Sequence, residues 1–160
     1  MITSVIVGAD HVIANLRNMP ERASSALYTT MKRLAIALSA HIKRDKLTGQ
    51  VLKNRTGNLR RSINETVIQE SDSMIKGYVG TNAVYAAIHE YGGVTAPHVI
   101  MPRNVKALRF IQGGGTVFAK VVNHPGSRMP ERSFLRSALT DMQGQITSEL
   151  STALRGAIQQ

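Results

Sequence analysis

The chain has 160 residues, a net charge of +10 and no cysteine. A chain of this length forms one domain by default, here residues 1–160, and buries about 70% of the surface that its unfolded form exposes. The lack of cysteine excludes disulfides and thiolate metal sites and fits synthesis in a reducing cytoplasm. The start of the chain lacks the basic region of a signal peptide. No stretch reaches the roughly 18 apolar residues of a membrane span, so we expect a soluble, unexported protein.

The positive charge is concentrated in one segment. Seven basic side chains stand against the single Asp45, a local net charge of +6: Lys43, Arg44, Lys46, Lys53, Arg55, Arg60 and Arg61. Such a segment attracts nucleic acid or an acidic protein. With 4 Tyr, 3 Phe and no Trp, the chain has little material for stacking on bases, so any nucleic-acid contact would involve phosphates. Alternatively, part of the charge simply complements the end of a helix.

Apolar spacing predicts a long helix in the first third of the chain. Its stripe recurs every three or four residues, at Leu27, Met31, Leu34, Leu38 and Ile42. Pro20 suits the first turn of this helix, where its missing N–H has no partner to lose. Before it, residues 3–7 favour a short strand, and Asp10 can cap a short helix that holds Val12, Ile13 and Leu16.

Two shorter helices are predicted in the middle of the chain. Thr56 can cap the first, which would carry Leu59 and Ile63. Asn82 can begin the second, which would end at Gly92–Gly93. Each of these helices is next to a segment that is rich in strand-forming residues.

Two antiparallel hairpins are predicted around the second of these helices. Residues 65–70 and 74–81 form one pair of strands, and residues 105–111 and 116–122 form the other. Between them runs a proline-containing loop from Gly92 to Asn104. It is too long and too apolar for an idle connection, so we expect Val99, Ile100 and Met101 to contact another protein.

A long final helix is predicted from about Pro130 to the end of the chain. Its outward face is rich in Ser, Thr and Gln and carries few charges. Small uncharged side chains suit close packing, so Ser148 and Thr152 are expected to contact a neighbouring subunit. Alternatively, the helix is simply a polar exposed one. The order of elements predicts an α+β fold, with an antiparallel sheet of about four strands packed by a long N-terminal and a long C-terminal helix.

Catalytic and metal motifs are missing from the sequence. His89–Glu90 resembles part of a zinc-protease motif, but Gly93 stands where the second histidine belongs. His89, His98, His124 and Glu90 could form a metal site only if the fold gathered them. The alternative is that His89 and Glu90 brace their own short helix. No nucleotide loop or nucleophile elbow is present, so we expect no enzyme, cofactor or metal.

Five segments occur in a recognisable order: RTGNLRRSI (55–63), NAVYAAIHEYGG (82–93), KALRF (106–110), VFAK (117–120) and HPGSRMPERSFLRSAL (124–139). In this order they are similar to the tail-component family of long-tailed phages, which includes the tail completion protein of lambda-like phages. The resemblance covers about residues 50–140. Ser133 stands where the family often has proline, and we expect Pro130 to supply the helix start instead.

This resemblance implies a structural virion protein of the neck or tail end. Several copies would form a ring that completes the tail or joins it to the head, next to tail terminator and head-side connector or portal-adaptor proteins. Assembly would take place in the host cytoplasm. The ring contacts are expected from the Gly92–Asn104 loop and the last helix. The basic side chains would face a DNA channel or an acidic partner: Lys43, Arg44, Lys46, Arg55, Arg60 and Arg61.

Two other functions fit the same basicity. A small nucleic-acid-binding protein without sequence specificity would bind DNA as a monomer, with affinity that falls steeply as salt rises. A toxin-like ribonuclease would need a groove with acid–base side chains, which the sequence does not place.

Overall fold

The structure is a computed structural model that describes residues 2–5, 21–53, 55–71 and 74–158. The helix predicted after Asp10 lies outside these residues. The elements, in chain order, are β1 (Ile2–Val5), α1 (Glu21–His41), α2 (Asn58–Arg61), β2 (Ile63–Ser71), β3 (Met74–Thr81), α3 (Ala86–Tyr91), β4 (Gly93–Val94), β5 (His98–Ile100), β6 (Leu108–Gln112), β7 (Gly115–Ala119), β8 (Val122–His124), β9 (Arg128–Met129) and α4 (Leu135–Ile158).

The core lies between the two long helices and a three-stranded sheet. Strand β3 is the centre of this sheet and pairs antiparallel with β1 and β2. The predicted apolar stripe is buried, with Leu34 and Leu38 of α1 and Ile42 directly after it deepest, and α4 adds Leu135 and Ile146. Each buried aliphatic side chain contributes about 2 kcal/mol, so this stripe is the main source of stability for α1. The predicted α+β class with two long helices is confirmed.

The second predicted hairpin does not join the first in one sheet. It forms a separate antiparallel ribbon of three nested ladders: β4 pairs with β9, β5 with β8, and β6 with β7 around a turn at Gly113–Gly114. We call residues 93–129 the ribbon. None of its residues is buried, and none belongs to the hydrophobic core. The ribbon therefore carries its own hydrogen bonds but almost none of the chain's apolar burial.

Three local predictions were wrong. Ile63 begins β2 instead of ending a helix, because α2 is a single turn that stops at Arg61. The Gly92–Asn104 loop contains β4 and β5, whose partners β9 and β8 lie far along the chain and leave no local signal. The last helix begins at Leu135 and not at Pro130, for a reason described in the next subsection.

Among the described residues, no helix has the length and apolar character that crossing a membrane would require.

Candidate functional site

The basic segment divides into paired and unpaired cations. Helix α1 continues as one π-helical turn, Ile42–Lys46, which brings two of the predicted side chains beside carboxylates. Arg44 donates two hydrogen bonds of 2.8 Å to Asp45, and Lys46 lies 2.7 Å from Asp141 of α4. His41 joins these pairs, because its two ring nitrogens lie 2.7 Å from Asp45 and 2.9 Å from Asp141.

These contacts neutralise part of the charge of the basic segment. The Arg44 guanidinium, assisted by His41, lowers the pKa of Asp45 to about 2. The Lys46 ammonium and then His41 also lower the pKa of Asp141. Both carboxylates are therefore ionised at neutral pH and cancel the charges of Arg44 and Lys46. Lys46 connects the end of α1 to α4, Arg44 pairs within its own turn, and both contribute little to an outward-facing positive surface.

The remaining predicted cations surround the turn that leads into α2. Lys43, Arg60 and Arg61 line a shallow hollow with Gly57. The Arg61 guanidinium donates to the carbonyl of Thr56 and to the Asn58 side chain, so it also holds this turn together. Lys43, Arg55 and Arg60 make no ion pair within the described part of the chain.

A second concave space shares Gly57 and Arg60 with this hollow. It has a volume of about 520 Å³ and contains four cations without a described ion-pair partner: Lys53, Arg55, Arg60 and Arg132. Accessible apolar surface comes from half-buried Leu59 and exposed Tyr85. Of the lining residues that the structure describes, none is acidic. We call this space the cleft.

His89 of α3 lies in the wall of the cleft. Its ring stands edge-on to Tyr85, with 6.2 Å between the ring centroids. Burial, and then the nearby Arg132 guanidinium, lower the pKa of His89, so the ring is neutral at pH 7. Its Nδ1 atom is buried and has no hydrogen-bond partner in the described structure. The positive charge of the cleft therefore comes from Lys and Arg side chains alone.

Glu90, the next residue, is fully buried and caps α4 across the base of the ribbon. Its carboxylate accepts hydrogen bonds from the backbone N–H groups of Phe134, Leu135 and Arg136 at 2.8, 2.9 and 3.0 Å. It also accepts from the Ser133 hydroxyl at 2.8 Å. A helix leaves its first N–H groups unsatisfied and favours negative charge there. This carboxylate therefore fixes the start of α4 at Leu135, five residues after the predicted position.

Arg136 completes the same cluster. Its guanidinium donates to the carboxylate and the backbone carbonyl of Glu90, forms an ion pair with Glu131, and lies over the ring of Tyr91. The two segments that enter and leave the ribbon are thus bonded to each other. The expectation that Glu90 braces its own short helix was wrong, because its partners are all at the start of α4 or just before it.

The base of the ribbon is the region where the chain enters it, after Gly92, and leaves it, before Glu131. Glycine allows the backbone of these two segments to approach closely. A Cβ atom on Gly126, which has φ of +91°, would lie 2.1 Å from the carbonyl oxygen of Thr95. Gly92, with φ of +70°, would place a Cβ 2.9 Å from the backbone nitrogen of Glu131. No other residue fits either position without displacing backbone.

The ribbon exposes large apolar side chains. Among the predicted contact residues, Val99 is 54% and Met101 63% exposed, whereas Ile100 is half-buried. Further exposed apolar side chains of the ribbon were not predicted, among them Ile111, 79% exposed, and Phe118, 67% exposed, near the ribbon tip. Sequence alternation in these strands could have indicated them, but it does not show which face remains uncovered. The ribbon contains no acidic residue, and its charged side chains are Arg103, Lys106, Arg109, Lys120 and Arg128.

The predicted face of the last helix is also accessible. Ser148 and Thr152 are exposed, and the Thr152 hydroxyl donates to the Ser148 carbonyl at 2.9 Å. Because the Thr152 hydroxyl is satisfied within the helix, the face can pack closely without leaving it unpaired.

The histidines predicted as metal-site candidates do not converge. His98 and His124 are stacked across β5 and β8, with 5.0 Å between ring centroids, while Glu90 is engaged at the start of α4. In the described part of the chain, no group of three or more His, Cys, Asp or Glu side chains is arranged to hold a metal ion.

Comparison with curated proteins and with solved structures found no match. The sequence model of the phage virion morphogenesis family matches residues 34–155. This range begins within α1 and continues through the cleft, the Glu90 cluster and the ribbon into α4. The chain belongs to the phage virion morphogenesis family.

Proposed function

We propose that this virion morphogenesis protein acts at the tail end or the head–tail junction. Several copies form a ring that completes the tail or joins it to the head, as the resemblance to tail completion proteins implies. The role is structural and not catalytic. The partners are further copies of the chain, a tail terminator and a head-side connector or portal-adaptor protein.

The ribbon is the observation that carries this proposal. A two-stranded ribbon is marginally stable alone in water, because it lacks a second layer to cover its apolar side chains. Val99, Met101 and Phe118 are more than half exposed and have no such layer within the described structure. Exposed apolar side chains grouped in one element mark an interaction surface. In a ring, each copy supplies the missing layer for its neighbour.

The geometry of a ring is consistent with two separate contact surfaces. Head-to-tail contacts join different surfaces of neighbouring subunits, in contrast to the self-complementary surface of a twofold dimer. The ribbon provides one surface, and the Ser148–Thr152 face of α4 provides another. The two differ in chemistry, since one is apolar and basic and the other is small and uncharged.

Complementation of a phage that lacks the gene tests the proposal. We expect V99D/M101D to leave the isolated chain folded, with unfolding free energy changed by less than about 0.5 kcal/mol, because both side chains are exposed. Infectious titre should fall by orders of magnitude, and electron microscopy should show unfinished tails or unjoined heads and tails.

The control is I36D, which places one aspartate on an exposed apolar residue of α1 outside the ribbon. It should support normal titre. Wild-type titre and complete particles with V99D/M101D would contradict the proposed role of the ribbon.

A further inference from the structure

We propose that the cleft binds an acidic segment of a partner protein, one that carries an apolar side chain between carboxylates. The inference rests on the proposed function only in assigning that partner to the virion. It decides between the two roles open to the basic side chains, a DNA channel and an acidic protein contact.

Charge is the first argument. Lys53, Arg55, Arg60 and Arg132 line one concave space, and no carboxylate of the described residues lines it with them. Cations held close together without a counter-charge repel one another, and the repulsion is relieved when a negative ligand enters. Partial desolvation in a concave site makes such contacts stronger than those of an open surface.

The apolar lining distinguishes a peptide from DNA. Leu59 and the Tyr85 ring are accessible beside the cations, and Leu47 and Leu52 lie behind them. A duplex offers phosphates and sugars to such a surface, whereas a peptide offers an aliphatic or aromatic side chain with carboxylates on either side. A volume of about 520 Å³ suits a short side-chain cluster better than a duplex backbone.

We place the occupant on another protein, because the described part of this chain has few free carboxylates. Most described acidic side chains are already in ion pairs: Asp45, Glu70, Glu90, Glu131, Asp141 and Glu149. Of the other two described carboxylates, Glu21 begins α1 and Glu65 lies on β2, so they do not form a cluster.

The experiment measures binding to the full-length protein by fluorescence anisotropy. The probe is a labelled heptapeptide with a central leucine flanked by aspartate and glutamate. The comparison ligands are the same peptide with Asn and Gln in place of the acids, and a short duplex DNA. We expect the acidic peptide alone to bind in the cleft and to shift the imidazole ¹⁵N signals of His89.

Three variants locate the binding. R55Q/R60Q should lower the affinity for the acidic peptide by about tenfold or more. R103Q/R109Q makes the same charge change on the ribbon and should leave the affinity unchanged. Y85A should lower the affinity for the peptide severalfold without changing the affinity for DNA. Equal effects of the two arginine pairs, or an unshifted His89 signal at saturating peptide, would overturn the proposal.

DNA binding that competes with the peptide and is lost in R55Q/R60Q would also overturn it, in favour of a phosphate-binding channel. V99D/M101D keeps this cleft intact and should bind the peptide normally. Peptide binding therefore tests the cleft alone, and phage complementation by V99D/M101D tests the ribbon alone.

Discussion

Glu90 is the residue on which the arrangement of helix and ribbon depends most. Its carboxylate satisfies three backbone N–H groups at the start of α4, and it is fully buried there. Glutamine in its place would keep one acceptor oxygen but turn an NH₂ group toward donors. We expect E90Q to lower the free energy of unfolding by about 3 kcal/mol, measured by urea denaturation.

The control for E90Q is E131Q, which removes the exposed partner of Arg136. An exposed pair of this kind contributes about 1 kcal/mol or less, so E131Q should have a small effect. Equal losses in the two variants would show that the helix cap is not the source of the effect.

The same carboxylate makes stability depend on pH. Burial is the largest influence and raises the pKa of Glu90, but the hydrogen bonds from Leu135, Arg136, Ser133 and Phe134 together outweigh it and lower the pKa. A group with a lowered pKa in the folded state stabilises above its unfolded pKa and loses this contribution as pH falls through the folded value.

We therefore expect the unfolding free energy of wild type to begin to fall near the pKa of a free glutamate, at about pH 4.5. It should continue to fall as the pH drops below that value. Asp45 and Asp141 have lowered pKa values too, so they contribute to the same fall. Urea denaturation of wild type and E90Q between about pH 6 and about pH 3 measures how much of this pH-dependent loss of stability comes from Glu90. If the unfolding free energy of E90Q depends on pH as steeply as that of wild type, the contribution of Glu90 is contradicted.

At the scale of elements, the ribbon depends on close backbone packing at its base. Alanine at Gly126 would meet the Thr95 carbonyl and occupy a left-handed conformation. We expect G126A to lower the opening free energy of the ribbon by about 2 kcal/mol. Amide hydrogen exchange in β5 and β8 should then become about 30-fold faster.

Gly144 provides the matched control, because it lies in α4 and a Cβ atom added there would meet only open space. G144A should leave ribbon exchange unchanged and stabilise the helix by up to about 1 kcal/mol. Equal exchange in G126A and wild type would contradict the close approach at the ribbon base.

Element types were predictable where local periodicity decides the structure. The stripe of α1 repeats at helical spacing and is buried as predicted, and the strands on either side of Gly113–Gly114 form a hairpin as predicted. The start of α4 was not predictable from local sequence, because Glu90 lies more than 40 residues before the N–H groups that it caps. The pairing of β4 with β9 and of β5 with β8 is non-local in the same way.

The candidate site was predictable in composition but not in geometry. The basic segment was identified, yet only the structure separates paired Arg44 and Lys46 from Arg55 and Arg60 in the cleft. Arg132 was missed because it lies far along the chain from this segment and enters the cleft from the residues just before α4. Spatial neighbours of this kind leave no signal in sequence spacing.

At the scale of the whole molecule, the chain is a helix–sheet body with surfaces of three kinds. The ribbon is apolar and basic, the outer face of α4 is small and uncharged, and the cleft combines cations with apolar groups. A protein that holds other proteins together in a particle needs several such surfaces at once. Family membership, the ribbon and the cleft together support an assembly role.

The central claim is that the ribbon and the α4 face join copies of the chain, and the most direct test is the mass of the purified protein by light scattering behind a sizing column. We expect wild type to form a discrete multimer that persists at high salt, because apolar contacts are not screened. V99D/M101D and S148E/T152E should each reduce it to a monomer, and Q143E/T147E, on another side of α4, should not. A wild-type monomer at every concentration and salt, or a multimer that both interface variants leave intact, would contradict the claim.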